Sequence, residues 1–415
     1  MATVALVGTL DTKGTDLAFL AGRLRAAGAD VIVVDAGTGS PDGLTPDVDG
    51  ETVAAAAGTS RADLRAAGDR GRAVTEMGRG AALVVADLAA QGRVGGVLAA
   101  GGSGGSSIAA QVFASLPVGL PKLLVSTMAS GDVAPYVGAK DVCIMYSVVD
   151  VAGINRISRL VLGNAAAAMA GMVTARERAA GAADAGAGAD DRPLVAASMF
   201  GVTTPAVETA RARLAELGYE VLVFHATGAG GRALEALAEA RLLSGVLDLT
   251  TTELADDLVG GVLSAGPDRL TAAGEAGLPQ VIAPGALDMV NFGPPDTVPS
   301  RFSDRLFFEH NPTVTLMRTT AEEMAELGAR IGRKAGAAAG NGPVEVFWPD
   351  RGVSALDADG QPFSDVVADE ACRTALDREL TAAGMTLRRI DAHINDPVFA
   401  TAMADRLHQM ITEGS

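Results

Sequence analysis

Cysteine and long apolar runs are both scarce in this sequence, and each shortage excludes a class of protein. Two cysteines, Cys143 and Cys372, cannot build a disulfide framework, and they lack the spacing of metal ligands. We interpret both as small buried hydrophobic residues. No apolar run reaches the ~18 residues of a membrane span, and the N-terminal residues lack the features of a signal peptide. We therefore expect a cytoplasmic protein that binds no membrane.

Positive charge is also in short supply. The chain has 33 Lys and Arg against 50 Asp and Glu, which gives a net charge of −17. Binding to nucleic acid needs a basic surface, so we expect no nucleic-acid partner. A small polyanion such as ATP is still compatible if a local lysine, an arginine and backbone N–H groups outweigh the overall field.

Several motifs of familiar enzymes are missing as well. The first βα turn has no G-x-G-x-x-G, which disfavours a nicotinamide cofactor. No Walker A motif, HExxH or CxxC is present, so zinc hydrolysis has little support.

The apolar residues that are present form short runs, which alternate with amphipathic helical patterns. Such alternation is typical of βαβ units with parallel sheets, and 415 residues fit two domains of roughly 200 residues each. The sequence therefore predicts an α/β fold of two Rossmann-like subdomains with mainly parallel sheets. The predicted strands are 4–7, 31–34, 96–99, 123–125 and 142–145, followed by 194–199, 221–224, 246–249, 281–283, 344–347 and 387–390.

One segment between the two series of strands contains no large hydrophobic side chain. Residues 179–191 are Ala, Gly and Asp without apolar periodicity, which is typical of a linker. We therefore predict an N-terminal domain over residues 1–178, a flexible linker over 179–192 and a C-terminal domain over 193–415.

A glycine-rich segment, residues 101–107 (GGSGGSS), directly follows the predicted strand 96–99 and precedes a helical pattern. Glycines let the backbone approach a ligand closely, and the N–H groups of a helix start favour an anion. The hydroxyls of Ser103, Ser106 and Ser107 add donors. A plain turn with a serine N-cap is the alternative, but four glycines at this junction favour a phosphate site.

Two more loops are expected at the same edge of the sheet, because the carboxyl ends of parallel strands lie together. Lys13 follows the first strand and is placed to meet the same phosphates, while Asp11 is placed to hold Mg²⁺. A helix capped by Asp11, with Lys13 in solvent, fits the local sequence equally well. After the second strand, Asp35 is placed to bind a ribose hydroxyl and Thr38 to reach a nucleotide.

Taken in order, these motifs resemble an ATP-binding family. The resemblance is carried by residues 8–13 (GTLDTK), 101–107, 126–131 (STMASG) and 147–155 (SVVDVAGIN). The family includes the inhibitory N-terminal region of the tomato mosaic virus resistance protein of plants and many uncharacterised bacterial proteins. The resemblance covers essentially the whole chain, but the plant protein has an additional TIM-barrel domain, so functions that need the barrel are not implied.

The resemblance implies that the N-terminal domain binds ATP and that the protein is a homo-oligomer. The residues that it places at the nucleotide are Lys13, Thr38, Arg70, Gly102, Ser103, Gly104 and Gly105. The role of Arg70 rests on the resemblance alone. A point charge, a guanidinium fork and several hydroxyl and amide donors form a coherent set for phosphates.

Polar segments also interrupt the apolar pattern of the second half. His225, His310 and His393 lie in three of them and are candidates for acid–base catalysis or metal binding, together with Asp288 and Glu253. In the alternative interpretation the histidines are hydrogen-bonded turn residues, and a capping box with the preceding threonines explains Glu253.

Three functions stay open at this point. The first is an ATP-binding protein with a small-metabolite cleft between or beside its domains. The second is a nucleotide-dependent interaction protein without turnover. The third is an enzyme that uses its histidines on a carbonyl or carboxylate metabolite.

Overall fold

The computed structural model describes residues 3–184 and 192–414, and every predicted apolar run forms a strand in it. The chain divides into an N-terminal unit, Met1–Ala189, and a C-terminal unit, Asp190–Ser415. Each has a parallel sheet with helices on both faces, which confirms the predicted α/β class with two Rossmann-like subdomains.

The described part of the N-terminal unit, residues 3–184, has five strands and seven helices. Its strands are β1 (Thr3–Gly8), β2 (Asp30–Asp35), β3 (Gly96–Gly101), β4 (Lys122–Ser126) and β5 (Val142–Tyr146). Its helices are α1 (Leu10–Ala26), α2 (Gly50–Ala56), α3 (Arg61–Ala67), α4 (Arg70–Ala90), α5 (Ser103–Ala114), α6 (Ala134–Val137) and α7 (Arg156–Asp184).

The five strands are parallel and lie in the order β2-β1-β3-β4-β5. Successive side chains of β1 point to opposite faces. Val4 and Leu6 pack with α1 and α7, whereas Ala5 and Val7 pack with α2, α4 and α5. Both faces are therefore buried, which explains why these strands are almost continuously apolar.

Helix α7 begins after β5 and returns to the middle of the sheet. Leu162, Met169 and Val173 are buried against α1 and the central strands. By length and composition Arg156–Ala179 could cross a membrane, but a core helix of a soluble protein passes the same test. The helix continues to Asp184, into the predicted linker, which fits the high helix propensity of alanine; residues 185–191 lie outside the described part of the chain.

The C-terminal unit has nine strands and seven helices in its described residues. Its strands are β6 (Leu194–Met199), β7 (Glu220–His225), β8 (Gly245–Thr250), β9 (Gln280–Gly285), β10 (Met289–Phe292), β11 (Phe307–Asn311), β12 (Val314–Arg318), β13 (Val344–Pro349) and β14 (Arg388–Ile390). Its helices are α8 (Thr204–Glu216), α9 (Ala229–Glu239), α10 (Glu253–Val259), α11 (Ala272–Glu275), α12 (Ala321–Ala338), α13 (Val366–Ala382) and α14 (Pro397–Glu413).

Six of these strands form a parallel sheet in the order β14-β13-β9-β8-β6-β7. Helices α8 and α14 cover one face, and α9 to α13 cover the other. The remaining three strands form a separate antiparallel sheet in the order β10-β12-β11. The sequence analysis did not predict this small sheet, because its strands are short and interrupted by polar and turn residues.

The two cysteines differ in their surroundings. Cys372 lies on α13 and is buried, as expected, and burial raises the pKa of its thiol. Cys143 is exposed, so its interpretation as a buried residue was wrong. The reason is its position on β5, which is an edge strand with no neighbour beyond it in the described sheet.

Candidate functional site

In the sheet of the N-terminal unit, the direction in which successive strands are added reverses between β1 and β3. From β1 the chain moves outward to β2 on one side, and it later returns to β3 on the other. Ligands of open α/β sheets bind at such a switch point, beyond the carboxyl ends of the strands. A cavity of about 430 Å³ lies there, within the size range of small-molecule sites.

This cavity brings together every residue that the family resemblance implies at the nucleotide. Its lining includes Lys13 and Asp11 after β1, Thr38 after β2 and Arg70 at the start of α4. It also includes all four predicted residues of the glycine-rich segment, Gly102, Ser103, Gly104 and Gly105. Four stretches that are far apart in the sequence therefore meet around one space, and contact of these residues with a nucleotide stays a prediction.

The glycine-rich segment forms the last residue of β3 and the first turn of α5. Gly102 is the N-cap residue, and no side chain caps the helix, so its first N–H groups stay available to an anion. Ser106 and Ser107 do not add donors, contrary to expectation. Their hydroxyls bond back to the carbonyls of Gly102 and Ser103, at 2.9 and 3.0 Å.

Helix α4 faces the glycine-rich segment. A Cβ atom at Gly104 would lie 3.6 Å from Val74 Cγ2 and 3.9 Å from Arg70 Nη2. The absence of a side chain at position 104 therefore keeps open the space between the loop amides and the Arg70 guanidinium. An anion in that space would meet donors from both sides.

The loop after β2 is fixed by charged side chains. The carbonyl of Thr38 accepts hydrogen bonds from Arg61 and Arg65 on α3, and Asp11 Oδ2 accepts one from the N–H of Gly39 at 2.6 Å. Thr38 is thereby held at the cavity by residues that are not its sequence neighbours.

Asp35 does not face the cavity, so its predicted contact with a ribose hydroxyl was wrong. Its side chain is fully buried, and Oδ1 accepts hydrogen bonds from the N–H groups of Leu10 and Gly37 at 3.0 and 2.8 Å. Burial raises the pKa of this carboxyl above its usual range. Its role is to fix the starts of the two loops that carry Asp11 and Thr38.

Lys13 lies on α1 at a point where the backbone leaves helical geometry, with φ −129° and ψ 15°. Its ammonium group donates a hydrogen bond to the carbonyl of Val151. The neighbouring Asp150 lines the cavity as well. The sequence analysis missed Asp150, although the rule that strand ends share one edge also applies to the loop after β5.

One wall of the cavity is apolar. It consists of Ala73, Val74 and Met77 on α4 and of Ile108 on α5. This wall was not predicted from the sequence either, although Ala73, Val74 and Met77 are spaced so that they lie on one face of α4. A cavity with polar loops at one side and an apolar wall at the other suits a ligand with a charged group and a flat apolar body.

The corresponding switch point of the C-terminal unit, between β6 and β8, is closed. The hydroxyls of Thr203 and Thr250, from the two loops concerned, are in direct contact at 2.7 Å, and both residues are fully buried. The carbonyl of Val202 accepts hydrogen bonds from Asn395 Nδ2 and from the N–H of Ala355. The chain's own residues therefore occupy the crevice.

A second glycine-rich loop, residues 226–232, follows β7. It is also filled, by a side chain of the same unit. Glu253 Oε1 accepts hydrogen bonds from the N–H groups of Gly228 and Gly231 at 2.7 and 3.0 Å, and Oε2 pairs with Arg269 at 2.7 Å. Glu253 is fully buried. The predicted capping box was therefore wrong, because this carboxylate reaches a distant loop and not the threonines before it.

The three candidate histidines do not come together. His225 ends β7 and His393 follows β14, and these are the two edges of the six-stranded sheet. Five strand spacings separate them, roughly 24 Å. His310 is exposed at a β-bulge in the other, antiparallel sheet. The described residues contain no group of three or more His, Cys, Asp or Glu that could hold a metal ion.

Both ring nitrogens of His393 are engaged by backbone groups. Nδ1 accepts a hydrogen bond from the N–H of Asn395 at 3.1 Å, so Nε2 carries the proton and donates to the carbonyl of Ser354 at 2.9 Å. Asn395 in turn bonds to α8 and to the loop before it. This geometry matches the interpretation of His393 as a hydrogen-bonded turn residue.

Asp288 belongs to a group of buried carboxyls near Arg318. Burial raises the pKa of Asp288 to about 6 and that of both Asp357 and Asp369 to about 7. Arg318 pairs with Asp369 at 3.0 Å, and Asp288 accepts a hydrogen bond from Ser354 at 2.7 Å. One arginine cannot neutralise three carboxylates, so the group retains protons near neutral pH.

Comparison with protein families and relatives gives a consistent assignment. Two models of the uncharacterised protein family UPF0261 match, that of its N-terminal domain over residues 2–178 and that of its C-terminal domain over residues 192–411. A UPF0261 protein of Clostridium tetani is 47% identical over 98% of both chains, and one of Rhizobium meliloti is 47% identical over 97% of both. The tomato mosaic virus resistance protein Tm-1(GCR237) of Solanum lycopersicum is 40% identical over 97% of this chain, which spans 55% of the tomato protein.

Proposed function

This chain belongs to the UPF0261 family, and we propose that its N-terminal unit binds ATP together with Mg²⁺ in the cavity at the β1–β3 switch point. One observation carries the proposal. Lys13, Thr38, Arg70 and residues 102–105, which lie in four separate stretches of the sequence, line the same cavity of about 430 Å³.

The polar side of the cavity suits a triphosphate. The uncapped start of α5 supplies N–H groups and a favourable dipole. Lys13 supplies a point charge and Arg70 a guanidinium fork on the opposite side of Gly104. These local donors act at short range, so they can outweigh the net charge of −17.

The other sides of the cavity suit the remaining parts of the ligand. Mg²⁺ in nucleotide sites is typically held by one or two carboxylates together with the phosphates, and Asp11 and Asp150 are available for this. The cation would neutralise phosphate charge. The apolar wall on α4 and α5 offers a surface for the adenine ring.

A histidine-dependent enzyme is not proposed. His225, His310 and His393 lie in separate places, and the crevice of the C-terminal unit is closed. The proposal therefore concerns binding in the N-terminal unit.

Thermal unfolding in the presence of ATP and Mg²⁺ tests the proposal. A ligand at 100 times its Kd stabilises the folded state by about 2.7 kcal/mol through mass action, so the Tm of the wild-type protein should rise. The double variant Lys13→Ala/Gly104→Val should lose this rise, since it removes the point charge and fills the space before Arg70.

The matched control is Lys140→Ala/Gly171→Val. Lys140 lies outside the cavity lining, and a Cβ atom at Gly171 meets no atom within 4 Å. The control should keep the full rise in Tm with ATP. An equal rise in the Lys13→Ala/Gly104→Val protein would place the nucleotide elsewhere and refute the proposal.

A further inference from the structure

The segment after β5, residues 147–155, borders the cavity and is tied to α1 at two points. Lys13 Nζ donates a hydrogen bond to the carbonyl of Val151. Three residues further along α1, Asp16 Oδ2 accepts one from the N–H of Gly153 at 3.0 Å. One of the two ties is therefore made by a side chain that also lines the cavity.

The backbone of this segment is strained. Val148 has a φ of +65°, and the N–H of Val149 bonds to the carbonyl of Ser147 at 2.7 Å. This is a γ-turn with a positive φ at its centre, which is rare for any residue. A β-branched side chain makes the conformation still less favourable.

Polar atoms around the same segment have no hydrogen-bond partner among the described residues. They are Ser147 Oγ at its start and Asp16 Oδ1 at the tie on α1. Both residues are buried: Ser147 is 4% exposed and Asp16 is 2% exposed. Buried polar groups are normally hydrogen-bonded. The two unpaired atoms and the positive φ of Val148 therefore destabilise the present arrangement of residues 147–155.

A phosphate group in the cavity would act on both neighbours of this segment. Lys13 binds an anionic oxygen more strongly than a neutral carbonyl, so the phosphate weakens its bond to Val151. Asp150 lines the same cavity, and a Mg²⁺ ion that arrives with the phosphate would attract its carboxylate. The loss of the Lys13 bond and this attraction both loosen the hold of α1 on the segment.

We propose that residues 147–155 form a nucleotide-sensitive switch: the bond of Lys13 to Val151 holds the segment against α1, and a nucleotide phosphate that takes over the Lys13 ammonium group releases it. The inference rests on the proposed binding of ATP in this cavity. Release removes the strain at Val148 and frees the N–H groups of Val149 and Gly153.

Hydrogen–deuterium exchange of the full-length protein, with and without ATP and Mg²⁺, tests the switch. Exchange in peptides that cover residues 147–155 should become roughly tenfold faster with ATP, as expected for the loss of a charged hydrogen bond. Thermal shifts measured on the same samples report binding separately. A rise in Tm with unchanged or slower exchange would overturn the switch and leave ATP binding intact, whereas absence of any Tm rise would overturn both.

Variants of the tie give a second test, and its first readout needs no nucleotide. Lys13→Met should raise exchange over residues 147–155 in the empty protein, and ATP should then add nothing. Lys140→Met, which removes a lysine that makes no such bond, should behave as wild type. If Lys13→Met fails to fold, Val148→Gly replaces it: glycine tolerates the positive φ, so the segment stays in place and the effect of ATP on exchange shrinks. Wild-type exchange in both Lys13→Met and Val148→Gly would refute the proposed tie.

Discussion

The switch points of the two units are both formed by βα loops at the end of a parallel sheet, but one is open and the other is closed. In the N-terminal unit the loops after β1 and β3 leave a cavity with unoccupied helix N–H groups. In the C-terminal unit the loops after β6 and β8 touch through Thr203 and Thr250, and the nearby glycine-rich loop is bonded to Glu253. A glycine-rich βα loop is therefore not by itself evidence of a ligand site, because a carboxylate of the same chain can take the place of a ligand's anionic group.

The deciding residue is distant from the loop that it fills. Glu253 lies at the start of α10, more than twenty residues from Gly228 and Gly231. Its carboxylate does for these N–H groups what a phosphate would do in an open loop. Arg269 pairs with this carboxylate and also with those of Glu235 and Asp248.

The largest effect on the free energy of unfolding is expected when the Glu253 carboxylate is removed. Glu253→Ala leaves two loop N–H groups and part of Arg269 without partners in a buried site. Breaking a buried ion pair in this way costs about 3–5 kcal/mol of the free energy of unfolding. Urea titration followed by the fluorescence of Trp348, the single tryptophan of the chain, measures the C-terminal unit selectively because Trp348 lies buried in β13.

Glu239→Ala is the control, since Glu239 is exposed on α9 and should change the stability by less than about 0.5 kcal/mol. Formate should restore part of the stability of Glu253→Ala, but not add to that of the wild-type protein, because a small carboxylate can enter the vacated place. If Glu253→Ala were as stable as Glu239→Ala, the comparison between the two loops would fail.

A smaller effect is expected when an alanine is placed in each glycine-rich loop in turn. A Cβ atom at Gly230 would lie 1.8 Å from the carbonyl oxygen of His225, whereas one at Gly104 would lie 3.6 Å from Val74 Cγ2. Gly230→Ala should therefore cost about 1–3 kcal/mol through backbone displacement. Gly104→Ala should change the stability by less than about 1 kcal/mol, because alanine favours the helix.

Urea titration followed by circular dichroism measures both variants. Gly104→Ala should weaken the stabilisation by ATP, since the methyl group enters the space before Arg70. Equal stability of the two alanine variants would mean that the closed loop is no more tightly packed than the open one.

Measured over one pH unit, the smallest of these effects is a dependence on pH. Burial raises the pKa of Asp256, which receives hydrogen bonds from Asn291 and Leu263, to about 7 from 3.8. Between about pH 4 and pH 7 the unfolded chain loses a proton that the folded protein keeps. The free energy of unfolding therefore falls as pH rises through this range, by up to about 1.4 kcal/mol per pH unit for one carboxyl.

Asp256→Asn should remove this contribution and flatten the pH profile. Asn291 Oδ1 has no partner among the described residues, so it can accept from the new amide after a flip of the Asn291 side chain. Asp268→Asn, at an exposed position, serves as the control. Trp348 fluorescence in urea at several pH values measures the slopes, and identical slopes for wild type and Asp256→Asn would contradict the assignment.

Local pattern was enough to predict the strands of the two parallel sheets and the loops that line the open cavity, and it failed where distant residues decide. The apolar runs of β1 to β5 define both faces of a buried sheet by themselves, and the rule of shared strand ends brings Lys13, Thr38 and residues 102–105 together. The partner of Glu253, the burial of Asp35 and the bonds of His393 all depend on residues at least twenty positions away. No local signal encodes such pairs.

Helix α7 has a consequence for synthesis of the protein on the ribosome. The glycine-rich segment is complete at residue 107, but Val173 on α7, which covers Leu98 and Leu123, comes later. At about 5–20 residues per second the ~70 intervening residues take several seconds to translate. During this interval one face of the central strands stays uncovered, so the nascent chain exposes it to chaperones before the sheet beside the cavity is complete.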